Sequence, residues 1–145
     1  MVEAILKNGD KIKLPTTFDD GVQIKIIGQP APLMGMGLSK LDGQKVVRQV
    51  DTDDHFIAAV MYDRGAFQKG LGNVSIKPGS VTASEITTDS GEPVALADSG
   101  YTAQLKIAVP AMQQSSPPVA DPQASKISTV DGTFEPSPAL KITTS

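Results

Sequence analysis

The chain has 145 residues, a net charge of −3, one histidine and no cysteine or tryptophan. That length suits one domain and buries roughly 68–70% of the surface its unfolded chain exposes, so a core without covalent staples is feasible. Absent cysteine excludes disulfides, thiolate zinc sites and cysteine nucleophiles. The acidic balance and scattered lysines argue against nucleic acid as a partner. No window reaches the ~18 apolar residues of a spanning helix, which argues against a membrane partner. The first fifteen residues lack the apolar run of a signal peptide, so the expected site of synthesis and use is inside the producing cell.

In chain order, short β-branched runs alternate with turn residues, and helical periodicity is nearly absent. Ala4–Lys7 and Lys11–Leu14 flank Asn8-Gly9-Asp10, a hairpin signal because Asn-Gly accepts positive φ at both central turn positions. Val22–Ile27 alternates as a strand. Leu38–Leu41 and Lys45–Val50 flank Asp42-Gly43, a second hairpin signal. His55–Tyr62 is strongly apolar and reads as a central strand, with a short helix over Asp54–Tyr62 as the other reading. Gly65–Gly72 reads as an exposed loop and Val74–Lys77 as a short strand ended by Pro78-Gly79. Val81–Thr88 and Pro93–Ala97 bracket Asp89-Ser90-Gly91, and Thr102–Val109 is a further strand.

Beyond Val109 the character changes. Met112–Ser125 carries Pro117, Pro118 and Pro122 and almost no large apolar residue, which predicts an extended arm. Lys126–Val130 and Leu140–Thr143 around Asp131-Gly132 predict a small terminal hairpin. The division is therefore an N-terminal arm or hairpin (1–15), a β domain (16–111), and a Pro-rich linker with a C-terminal hairpin or arm (112–145). The predicted fold is mainly β: a small antiparallel sandwich or barrel of short strands and hairpins with extended terminal arms.

Candidate chemistry is sparse. In the cluster Asp51-Thr52-Asp53-Asp54-His55, Asp51 and Asp53 alternate as cation ligands would, but the positions that need a third acid, Gly and Glu in a calcium loop hold His55, Phe56 and Tyr62. An acidic turn is the better reading. His55 has no serine nucleophile in an elbow motif to serve. In Gly65–Gly72 the second glycine is followed by Leu71, not by the lysine and hydroxyl residue of a phosphate loop. Asn73-Val74-Ser75 matches a glycosylation acceptor without a secretory context. Glu3, Asp10, Asp19, Asp20, Glu85, Glu92 and Glu135 show no sequence pairing as acid and base. No metal, cofactor or catalytic residue is predicted, and the protein is expected to bind and not to catalyse. Leu33, Met34, Met36 and Leu38, interleaved with Gly35 and Gly37, form an adaptable apolar stretch and the candidate protein-contact site.

The layout Gln29-Pro30-Ala31-Pro32-Leu33, then Leu38–Val46 around Asp42-Gly43, then Phe56–Val60 resembles the lambda-type head-decoration (cement) proteins of tailed bacteriophages, over roughly 28–108. That resemblance implies a β-rich virion structural protein, often a homotrimer. It implies a place on the capsid surface, bridging major capsid protein subunits, and no catalytic residues. The alternative is a carbohydrate- or protein-binding β module of an adhesin, tail or base-plate. A small hydrolase or metal enzyme using His55, Asp51 or Asp53 is the third reading.

Overall fold

The computed structural model describes residues 5–41, 43–89, 91–97, 100–115 and 117–135. In chain order the strands are β1 (Lys11–Lys13), β2 (Gln23–Ile27), β3 (Lys40–Leu41) and β4 (Gln44–Lys45). A single-turn helix, α1 (Gln49–Thr52), precedes β5 (Phe56–Arg64), β6 (Phe67–Ile76), β7 (Ala83–Asp89) and β8 (Glu92–Ala95). The chain continues with β9 (Tyr101–Val109), β10 (Met112–Gln113), β11 (Val119–Ala120) and β12 (Ser128–Glu135). The protein is mainly β, as its residue pattern predicts. Among the described residues no helix is long and apolar enough to cross a membrane.

The main sheet runs β2-β5-β6-β9-β12-β1, antiparallel throughout. At the start of β6, Phe67 and Gln68 pair with β10, which in turn pairs with β11. The sheet curls until its two ends meet. Thr17 bridges Gln23, and the Ile24 N–H donates to the Thr16 carbonyl at 2.8 Å. Two short hairpins, β3-β4 and β7-β8, lie outside this sheet.

Inward residues alternate along the strands, as the pleat requires. Val60 and Tyr62 on β5, Val74 and Ile76 on β6, Ala103 and Leu105 on β9, and Val130 and Phe134 on β12 form one core with Phe18 and Leu33. Each large aliphatic side chain so buried contributes about 1.5–3 kcal/mol. A register shift between Phe56 and Ala58 lets Ile57 and Ala58 both face inward. The Tyr101 and Phe134 rings pack tilted, 5.1 Å apart.

Several local readings change in context. The turn at Asn8-Gly9 forms, with Gly9 at φ 91° and the Asp10 N–H on the Lys7 carbonyl at 3.1 Å, but its flanks do not pair with each other. Lys7 bridges Val46, and Lys11–Lys13 joins β12. The Leu33 backbone occupies the space between, accepting from Gly9 and donating to Asp10. The second predicted hairpin forms with two residues a side, β3 against β4, and beyond it α1, where Asp51 accepts both the Arg48 N–H and its guanidinium, turns the chain out of the strand. Gly65–Gly72, predicted as a loop, is a tight turn followed by continuous strand. Gly70 and Gly72 serve packing: the Tyr62 ring covers one, and a Cβ on the other would stand 2.8 Å from the Lys106 carbonyl oxygen.

The two segments predicted as terminal arms meet, Lys11–Lys13 pairing with Thr133–Glu135. Residues 112–113 and 119–120 extend the main sheet. The 126–130 half of the predicted terminal hairpin is engaged elsewhere, since Ser128–Val130 pairs with β9. Its other half, 140–143, lies outside the described residues.

Arg64 at the end of β5 ties these parts together. Its Nε donates to Asp121 at 2.9 Å and its Nη1 to Asp20 at 3.0 Å. The Tyr62 hydroxyl donates to Asp121 at 3.0 Å and accepts the Ala111 N–H at 2.8 Å. Ser128 Oγ donates to Asp20 at 2.6 Å. Burial pushes the Asp121 carboxyl up, but the Gln123 N–H, Arg64 and Tyr62 together hold it below its ordinary 3.8. Burial likewise raises Asp20, and Ser128, Arg64 and the Val22 N–H bring it below the same value. Groups lowered in the folded state stabilise it fully above their unfolded value and cease to as pH falls through the folded one. Arg64→Ala should therefore cost about 3 kcal/mol in urea unfolding at neutral pH. Acid titration followed by circular dichroism should show its unfolding midpoint moved to higher pH than the parent's.

Candidate functional site

Residues 33–38 form a ridge with strict alternation. Leu33, Gly35 and Gly37 face the protein, while Met34, Met36 and Leu38 face solvent. Met34 and Met36 are each 60% exposed and Leu38 is 81% exposed, whereas Leu33 is 1% exposed and belongs to the core. Of the four residues predicted as a contact site, three therefore share an outward face and Leu33 anchors them from beneath.

The inward side explains this alternation. The Gly35 N–H donates to Asn8 Oδ1 at 3.0 Å, and the Gly37 N–H to the Val46 carbonyl at 3.1 Å. A Cβ at Gly35 would collide with the Lys45 carbonyl, and one at Gly37 would lie 2.6 Å from Val46 Cγ2. Only glycine lets the backbone lie this close to β4 and the residue after it. Asp89, at the end of β7, grips the far end of the ridge. Its two oxygens accept the Leu38 N–H at 2.8 Å and the Ser39 N–H at 2.6 Å. The Met36 N–H reaches Asp51 at 3.3 Å. The flexible Met side chains thus stand on a fixed backbone.

Of the other sequence candidates, Asp51 and His55 support this ridge, and Asp53 and Asp54 are engaged elsewhere. Asp51 is occupied by Arg48, 3.0 Å away, as well as by Met36. Asp53 accepts the Gly79 N–H at 2.9 Å, and Asp54 accepts from the Gln104 amide at 3.0 Å. The acidic run is therefore splayed among three partners, and among the described residues no group of three His, Asp or Glu is placed to hold a metal. His55 Nε2 bonds to the Pro32 carbonyl at 3.1 Å, at the foot of the ridge. Burial holds the His55 imidazole below its ordinary value, partly offset by that bond. Asp89 and Asn8 escape sequence reasoning, because their bonds to the ridge join distant parts of the chain.

A second apolar patch lies on the outer face of the sheet, where Met61, Leu71 and Val109 are direct cross-strand neighbours. The sequence conceals it because Leu71 falls in the Gly65–Gly72 stretch. The signal available is the alternation of Gly70, Gly72 and Val74 with Lys69, Leu71 and Asn73.

A protein-family model described as contractile injection system spike tip protein matches residues 1–145, the entire chain. The chain belongs to this family. No curated protein matches it. A spike tip is a β-rich component of the tail or base-plate part of an injection system, which agrees with the alternative reading of the sequence. The resemblance to capsid decoration proteins is overturned, and with it the major capsid protein as partner and the capsid surface as location. The features behind that resemblance are an Asp-Gly turn, a Pro-containing segment and an apolar strand. Each answers a general demand of antiparallel sheets, and none specifies a capsid.

The spike-tip ridge gives a direct test. Gly37→Val should cost about 1–3 kcal/mol by overpacking against Val46 and Asp89. Met36→Ala should stay within about 0.5 kcal/mol of the parent, because its side chain packs on little. Urea denaturation of both variants measures the difference.

Proposed function

We propose that the chain caps the spike of a contractile injection system and is seated on its spike partner through the Met34–Met36–Leu38 ridge. The observation that carries this is the exposure of three large apolar side chains from a backbone fastened on its other side. Exposed apolar surface held in one shape marks an interaction site. A fastened backbone also loses little conformational freedom when a partner covers it. Methionine adapts its side chain to the facing surface, so a fixed backbone and compliant tips combine placement with fit.

The role is one of binding and mechanical support, not of catalysis. The carboxylates and histidine that stand out in the sequence have structural partners: Asp51 holds Arg48, Asp53 a backbone amide, and His55 the Pro32 carbonyl. Such a molecule suits transmitted load, since its strands are joined laterally by antiparallel ladders and its hairpins are clamped by buried carboxylates.

Met36→Asp combined with Leu38→Asp should abolish co-sedimentation with tip-free spike complexes while leaving the urea midpoint near the parent's. Met61→Asp on the outer sheet face serves as the comparison and should retain binding. Retention by the ridge variant and loss by Met61→Asp would transfer the docking role to the outer patch.

A further inference from the structure

Beyond the Thr17–Gln23 bridge the two ends of the curled sheet separate. Among the described residues β1 has a strand partner on one side only, β12, and β2 beyond Ile24 has only β5. Between them lies an open groove of about 640 Å³, lined by Lys11, Ile12, Lys13 and Glu135 on one side and by Ile26 and Pro30 on the other. The Ile24 N–H points across this seam to Thr16. Strand alternation puts the backbone N–H and carbonyl of Ile26 on that same edge, so they face the groove. A strand edge with unpaired backbone groups is a template for another strand.

The groove has a defined chemistry. Ile12 is buried and Ile26 packs against the core, so its floor is apolar. Lys11 and Lys13 are exposed on its rim and form no ion pair among the described residues. Lys11 stands opposite Glu135 in the ladder, leaving the rim with an excess of positive charge. A strand laid against Ile26 would place alternate side chains on the apolar floor and the others toward these lysines.

We propose that this groove is a strand-addition site for an extended segment of a partner chain in which apolar and acidic side chains alternate. Backbone bonds to the Ile26 edge supply the docking, and Lys11 and Lys13 select the charge. The site is separate from the ridge and does not depend on it.

The test is a titration of the full chain by two-dimensional NMR. The probe is a short peptide alternating valine and glutamate. Comparison peptides alternate valine and lysine, or carry N-methyl groups on the acidic peptide's backbone. The acidic peptide should shift the Ile26 amide and slow its hydrogen exchange, and the N-methylated one should not. Lys11→Glu with Lys13→Glu should weaken the acidic peptide about tenfold. The proposal is overturned if no peptide moves Ile26, or if the lysine peptide binds equally well. It is also overturned if the Ile26 amide moves with the protein's own concentration, which assigns the groove to a second copy. Protection of that amide in the free protein would assign the groove to the chain itself and overturn it too.

Discussion

A curled sheet must fasten the ends of strands that are far apart in sequence, and here a single guanidinium does so. Arg64 contacts Asp20 ahead of β2, Asp121 after β11, and Ser128 at the start of β12. Removing Arg64 would leave Asp121 buried with only the Tyr62 hydroxyl and the Gln123 N–H to offset its charge, which makes the guanidinium costly to lose. Its effect reaches the Pro-rich segment, where Asp121 is buried against Tyr62 and Arg64 and holds 119–123 to the sheet. What composition alone describes as an arm is thereby joined to the domain.

The same device recurs at the ridge in smaller form. A buried carboxylate, Asp89, accepts two successive backbone N–H groups, and glycines permit the approach that makes those bonds short. Charge-assisted bonds of this kind are shorter and stronger than neutral ones. The consequence is an apolar surface whose placement is set by Asp89 on β7 together with Asn8, Val46 and Asp51, and not by the loop itself. If the ridge is the seat we propose, this matters, because a docking surface that sways cannot transmit thrust along an axis.

Much of the strand pattern is legible in the residues. Gln23–Ile27, Phe56–Tyr62 and Thr102–Val109 are in strands because their apolar residues alternate with polar ones or run unbroken through the core. The turns at Gly43 and Gly91 are equally plain, both glycines having positive φ. Pairing partners are another matter. The Asn8-Gly9 turn specifies a reversal but not what lies beside it, and the Leu33 segment inserts there. Glycines at 70 and 72 read as flexibility, yet they answer a tyrosine ring and a neighbouring strand, which only the assembled sheet supplies. The ridge was legible through its Met-Gly alternation, though not the inward turn of Leu33. The Arg64 set was not, since Asp121 is 57 residues away from it. Function was less legible than fold, because generic sheet features carried a resemblance to capsid decoration proteins, which the family match overturns.

The claim that most needs a direct measurement is that the ridge is the seat on the spike. A photo-crosslinking residue at position 36 of the otherwise complete chain, activated in assembled particles and read by mass spectrometry, reports what lies against it. The account predicts a crosslink from position 36 to the spike component beneath the tip. Position 71 on the outer sheet face would give none to that component. A crosslink to the spike from position 71, with none from position 36, would contradict it.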